Sequence, residues 1–449
     1  MQMSGCAMNK FINAVEKHKK LILDAERYIW ENPETGYKEY KTSKYLAENF
    51  EKLGYELFYA ENITGFYTVL DTKRPGPTVL VMGELDAVIC PSHKESDPQT
   101  GAVHACGHNA QCAALLGVAV ALKEEGVTDN MCGKIKLCAV PAEELLEIEF
   151  RSNLIKDGNI KYYGGKTEYL YRGYFDDVDL AFMIHTADKY KVLKGSVGCI
   201  AKKVEFKGRA AHAGGSPWDG CNALYAANCG LNAINAIRET FKEQDIIRVH
   251  PIITHGGDMV NAIPETVTLE SYIRGTSFEG ITEANKKVNR ALCGAALSLG
   301  ANVNIEDMPG YSPHNNCEDL SKLYYETVKE ILPEYDVEYS DTYISASTDI
   351  GDLSCVMPIV HPYAGGKIGN DHGNDYYIAD PVSACVDSAK VQLVMLEKLL
   401  SDNAGVANKI ISNFNPLFSN KVEFLAFIDS LNMVGDRIKY NEDNAEVIL

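Results

Sequence analysis

The sequence predicts an α/β fold interrupted by a smaller β-α-β-β-α-β unit, and three observations carry that reading. Nearly all-apolar runs, "PTVLVMGELDAV" and "GKIKLCAVPAEE", flank the apolar helical stretch "AALLGVAVALKEE". Continuous apolar strands belong to sheets covered on both faces, and strand, helix, strand in alternation marks an α/β layer. From Gly195 the texture changes, and "SVGCIAKKVEFKG" alternates as a half-exposed strand does. Finally, the residues able to do chemistry fall at the ends of the apolar runs.

Taken in order, "FINAVEKHKKLILDAERYIWENPE" has helical spacing and stops near Asn32-Pro33. "YKTSKYLAENFEKLGY" is a second helix ending at Gly54, and "GFYTVLDT" is a strand. The polar, turn-rich "KESDPQTG" is a surface loop leading into "GAVHACGHNA". Past Gly195 come the helix "NALYAANCGLNAINAIRETF", the strands "IIRVHPIIT" and "TVTLESYIRGTS", the helix "ITEANKKVNRALCGAALSLG" and the strand "ANVNIEDM". With the preceding strand these make a ferredoxin-like split unit. The α/β part resumes near Tyr311 with "LSKLYYETVKEIL". The expected boundaries are 1–194 and 311–400 for the α/β domain, 195–310 for the insert, and 401–449 for an extension without assigned function.

A chain of 449 residues can bury the cores of two or three domains. Its hydrophobic content of 46% and charged content of 23% are those of a globular enzyme. A net charge of −19 with no basic stripe argues against nucleic-acid and anionic-membrane partners. The start of the chain has no continuous apolar core of a signal peptide, and no stretch is long enough to span a bilayer. Thirteen cysteines without paired spacing fit a reducing compartment, where thiols stay free or bind metal. The expectation is a soluble cytoplasmic protein.

Glu84 and Asp86 end one apolar run, "GELDAV"; Cys106 and His108 follow in "HACGHN". Glu143 and Glu144 end the next run in "PAEE", and His185 ends "LAFMIH". Singly, each has an ordinary explanation: an incidental Cys-x-His, solvated glutamates, a satisfied core histidine. Jointly, at successive strand ends of an open α/β sheet, they converge where such sheets bind ligands. Thiolate, imidazole and carboxylate together suit Zn²⁺, Mn²⁺ or a similar ion. Adjacent glutamates allow one to ligate while its neighbour works on water, as a metal-assisted hydrolase requires.

In this order along the chain, "GELDAV", "HACGHN", "VPAEE", "HAGGSP", "GGDMVNAIPE" and "STDIGDLS" resemble the di-metal amidohydrolase and carboxypeptidase family. That family includes hippurate hydrolase, indoleacetyl-amino-acid hydrolases and glutamate carboxypeptidase. "HACGHN" and "STDIGDLS" are most similar to its aminobenzoyl-glutamate hydrolase branch. The resemblance implies a phosphorylase/hydrolase-like three-layer catalytic domain with an inserted lid and dimerisation domain. It implies two divalent ions, zinc or manganese, held by Cys106, His108, Glu144, His185 and His372. Nothing in the residues themselves prefers His372 in "GNDHGNDYY" to His361 in "VMPIVHP". Glu143 matches the general base and Asp86 a carboxylate orienting the metal site. His212 matches a residue that reaches a neighbouring active site and steadies an oxyanion, Asn261 a polar group of the same surface, and Arg274 a grip for a substrate carboxylate.

The implied reaction is hydrolysis of a small N-acyl or N-aroyl amino acid by a homodimer. The alternatives are a dipeptidase or N-acetyl-amino-acid deacetylase on the same scaffold, an enzyme using Cys106 as covalent nucleophile, and a non-catalytic metal-binding paralogue. Three departures stand out: Glu84 has no fixed counterpart, Asn109 replaces an aspartate and bears on the bonding around His108, and "STDIG" replaces "SEDF".

Overall fold

Seven consecutive buried residues, Thr78–Glu84, form the strand around which the first half of the chain is organised. The computed structural model describes residues 5–442 and 444–449. The six-stranded sheet runs in the order Phe58–Tyr59, Phe66–Asp71, Lys134–Val140, Thr78–Glu84, Leu180–Phe182, Ile359–Val360. The last four are mutually parallel, with Val81 opposite both Leu137 and Phe182. The 66–71 strand runs antiparallel to 134–140, a common edge for a parallel sheet. The helix His108–Ala121 is buried along its whole length, which explains why its sequence is apolar on every side. It packs on the 78–84 strand and against the helices Lys19–Trp30 and Ser388–Asn413.

The opening helical stretch is two helices, Gly5–Glu16 and Lys19–Trp30, not one. The break falls where Lys17 and His18 both turn to Glu124, each at 2.6 Å. The helix Tyr40–Lys52 ends at Gly54, whose φ of +76° lets the chain reverse. No helix among the described residues is long and apolar enough to cross a membrane.

Residue contacts divide the chain into two units: one holds the sheet above together with 315–342 and 352–419, the other comprises 196–314, 343–351 and 420–449. The second has an antiparallel sheet in the order Arg248–Val249, Thr266–Gly275, Gly198–Lys207, Asn302–Pro309, Met433–Asp436, with Ile252–His255 also paired to 266–275. Along 266–275, Val267, Leu269 and Ile273 are buried with residues of the helices Ala223–Ile237 and Phe278–Ser298, while alternate residues face away. The first four strands give the ferredoxin-like order. "IIRVHPIIT" is two short strands, interrupted at His250-Pro251, because proline has no N–H to give the ladder. Residues 401–449 divide between the units. The 388–413 span is two helical stretches broken at Ser401–Ala404, where Ser401 is extended and Asp402, Asn403 and Ala404 are left-handed. The helix Lys421–Ser430 and the strand Met433–Asp436 belong to the second unit.

Inside the second unit the Lys202 ammonium is fully buried and ion-paired to Asp307, which also accepts from Asn285 (2.7 Å) and Asn289 (3.0 Å). Asp307→Ala would strand that charge and should cost about 3–5 kcal/mol in urea unfolding. The pair Lys202→Met with Asp307→Leu should recover most of the loss.

Candidate active site

The parallel strands deliver their functional groups at one end. Glu84 terminates the 78–84 strand, Glu143 and Glu144 lie just past Val140, His185 just past Phe182, and His361 directly follows Val360. Cys106 and His108 flank Gly107, which precedes the helix His108–Ala121 with φ +82°. A side chain at Gly107 would strike the Thr186 and Tyr376 hydroxyls, so this position requires glycine for both conformation and space. The turn after Val140 places Ala142 at φ +56°, and its N–H donates to Glu39 Oε1 at 2.8 Å.

Donor atoms of Cys106, His108 and His185 lie within 4.8 Å of one another, and so do those of Cys106, Glu144 and His372. Cys106 belongs to both groups. Its Sγ is 3.5 Å from His185 Nε2. His372, not His361, completes the second group; its left-handed φ of +61° is anchored by an N–H bond to Ala105 O at 2.8 Å. Its Nε2 is 3.0 Å from Glu144 Oε1. His361 stands behind His185, ring centroids 5.6 Å apart.

This donor set fits divalent cations. His108 Nδ1 meets Asp86 O and His185 Nδ1 meets Thr186 O, each at 2.9 Å, leaving both Nε2 lone pairs for the interior. His108 Nε2 and Glu144 Oε1 are buried without an aligned hydrogen bond. Asp86 bridges the two loops: Oδ2 accepts from Glu144 N at 2.8 Å and Oδ1 stands 3.3 Å from His108 Nδ1.

Electrostatics follow from crowding charge in a buried place. Burial and the Glu144 charge push the Cys106 thiol up, but His108 and His185 outweigh them and bring it to about 6. Burial opposes ionisation of Glu144, yet His372 brings it down to about 2. Bonds to Cys106 and Glu144 raise His372 to about 11. Burial, then the Glu84 and Glu144 charges, raise Glu143 well above the carboxylate range. These protons occupy a site whose donors would release them to a cation.

Several supporting groups carry no mark in the sequence. The fully buried Lys166 ammonium pairs with Glu84, and Gln111 Nε2 donates to Glu84 Oε2 at 2.8 Å. Glu84 Oε2 is 3.2 Å from His108 Nε2. Gln111 was within reach of pattern reading, one helical turn beyond His108. Glu39, raised to about 8 by burial and then the Asp86 charge, lies behind the glutamate turn. The Asn109 amide turns to Glu26 Oε1 at 2.8 Å, not to His108.

The remaining expected residues lie in the second unit. His212 is exposed, and its Nδ1 accepts from Gly214 N and Gly215 N at 3.2 and 2.8 Å. Asn261 is exposed and its carbonyl accepts from Ala213 N at 2.9 Å. Arg274 Nη1 donates to Ser347 Oγ at 3.2 Å.

A parallel-sheet scaffold with thiolate, imidazole and carboxylate groups at its strand ends defines a metal-dependent hydrolase. Residues 80–398 match peptidase family M20/M25/M40. Xaa-Arg dipeptidase of Homo sapiens is 30% identical over 358 residues, 75% of this chain and 74% of that protein. The chain belongs to this family of metal-dependent hydrolases of amide and peptide bonds. Its fold is that of a dinuclear metal binding peptidase from Bacillus subtilis (TM-score 0.65, 16% identity, 86% of this chain and 99% of that one). It is likewise that of an aminobenzoyl-glutamate utilization protein from Klebsiella pneumoniae (TM-score 0.64, 19% identity, 86% and 98%).

In metal-free protein, iodoacetamide capture of Cys106, followed by peptide mass spectrometry, should rise with a midpoint near pH 6. It should fall below that pH as the thiolate takes a proton, whereas buried Cys138, pushed up to about 12, should stay unmodified. A Cys106 midpoint near that of a free thiol, roughly 8.5, would contradict the electrostatic account.

Proposed function

We propose that this protein is a di-metal amidohydrolase cleaving the amide bond between an acyl or aroyl group and an amino acid. The observation that carries the reading is one thiolate shared by two ligand triads, with Glu143 Oε2 only 3.9 Å from His108 Nε2. Two divalent ions, zinc or manganese, when bound supply Lewis-acid polarisation of the amide carbonyl and acidify water. Cys106, His108, His185, Glu144 and His372 would hold them, while Asp86 fixes His108 and the Glu144 backbone.

Glu143 takes a proton from the attacking water on a carboxylate oxygen and returns it to the departing nitrogen. Burial and its acidic neighbours favour the protonated state it passes through. His212 is built as a donor: its Nδ1 accepts two backbone N–H groups, so the proton sits on Nε2, available to an oxyanion. Arg274 grips the substrate carboxylate, with Asn261 on the same surface.

The edge strand Ile252–His255, whose four residues are all exposed, supports the homodimer reading, and Trp218, Tyr225 and Val260 of the same unit are exposed apolar residues. Open ladder edges and apolar patches of this kind pair with another chain. His212 then acts on the partner's site. The free thiols from Cys90 to Cys385 fit a cytoplasmic location. A dipeptidase is the second reading, favoured by the name of the human relative.

Chelation should abolish hydrolysis of N-acyl amino acids, and zinc or manganese should restore it. Glu143→Gln should lower kcat about 10³-fold while metal analysis still finds two ions per chain. Full turnover by either the chelated protein or this variant would sink the mechanism. Ile253→Glu should give a monomer by light scattering with activity reduced to the level of His212→Ala; a fully active monomer would remove the action of His212 across subunits.

A further inference from the structure

No role above uses Glu84, although it stands where a cation could bind. Donor atoms of Glu84, His108 and Glu143 lie within 4.8 Å of one another, the same spacing that defines the two ligand triads. His108 Nε2, buried without an aligned hydrogen bond, is 3.2 Å from Glu84 Oε2. The chain supplies a cation of its own to this third group. Lys166 Nζ donates to Glu84 Oε1, and both side chains are buried. Gln111 Nε2 donates to the other oxygen at 2.8 Å. The Lys166 charge is felt at Glu143 as well, where it opposes the charges of Glu84 and Glu144.

Local packing brings the ammonium there. Lys166 is the second residue of the helix Gly165–Tyr171. Gly165 N donates to Ala142 O at 3.2 Å, and a Cβ at Gly165 would collide with Pro141 O. Glycine therefore lets this helix start against the turn that carries Glu143 and Glu144, and the next side chain reaches Glu84 at the strand end. The consequence lies in the charge balance. Glu84, Asp86, Cys106, Glu143 and Glu144 carry five negative charges when ionised, and Lys166 reduces these to four, the charge of two divalent ions. A buried set of charges is stable when it is matched. A further divalent ion at Glu84, His108 and Glu143 would meet the ammonium as a like charge.

We propose that Lys166 is a resident cation of the metal centre: bound to Glu84, it stands in for a third divalent ion and so limits how many ions the centre holds. Lys166 is a positioning residue, acting through Glu84, and Glu84 anchors charge without serving as a ligand. The number two rests on the di-metal reading of the site, whereas the exclusion of one further ion by Lys166 does not.

The test counts ions on the full-length protein, stripped of metal, saturated with manganese, desalted and weighed by native mass spectrometry. Wild type should hold two ions and Lys166→Met three. The third should disappear when Lys166→Met is combined with Glu84→Gln, which separates it from ions held elsewhere on the surface. Glu84→Gln alone leaves the ammonium uncompensated near His108. In calorimetry its manganese affinity should therefore fall at least about tenfold, and the double variant should recover it. A folded Lys166→Met holding no more ions than wild type overturns the proposal. Where circular dichroism finds that variant unfolded, the other two decide: equal affinity in wild type, Glu84→Gln and the double variant overturns it. One ion on wild type and two on Lys166→Met would sink the di-metal reading and leave the exclusion by Lys166 standing.

Discussion

One buried carboxylate holds the site together. Asp86 faces the ring of His108 through one oxygen and accepts the backbone N–H of Glu144 through the other. Two loops that leave different strands are thereby fixed to a single planar group with no exposure to water. The orientation of an imidazole and the path of the glutamate turn are set together: His108 Nδ1 is bonded to the Asp86 carbonyl and Glu144 N to its carboxylate, so neither can move without stranding a buried polar group. Glu39 behind the turn holds its proton because it is fully buried and, in second place, because it feels the same charge.

Around Asp86 the chain gathers Glu26, Glu39, Glu84, Glu143 and Glu144, all buried. In low dielectric such a concentration of acid survives only if it is protonated, paired with cations or bonded to donors. Each solution is in use. Lys166 compensates Glu84, backbone and side-chain donors serve Asp86 and Glu39, and protons sit on the residues that divalent ions would relieve. At the histidines of the pocket, proton occupancy and affinity for a metal ion are therefore opposed, and a bound cation would take over part of the charge balance.

How much of this was legible follows from what burial writes into a sequence. Strands covered on both faces are apolar throughout, so Thr78–Glu84 and Lys134–Val140 were readable, and the polar residues ending them stood out. The β-α-β-β-α-β order was readable because alternation and helical spacing differ in period. Choosing His372 over His361 was not possible from composition, since the choice depends on a left-handed residue tied to Ala105, a property of the folded loop. Lys166 left no trace because its partner lies 82 residues away. Asn109 invited a reading centred on its neighbour His108, yet its amide is committed to another helix. Side-chain partnerships of this range appear only once the chain is folded.

The strand Met433–Asp436 lies beyond the stretch matched by the family and pairs with 302–309, so the chain occupies one margin of its own antiparallel sheet. It is short, contains Gly435 at φ +143°, and is followed by a small hairpin, all of which make it a poor template for further pairing. Among the described residues, the other margin of this sheet is the one bearing Ile252–His255, whose residues are exposed. Strand addition at that margin would have a single direction available, and two copies meeting there would exhaust it.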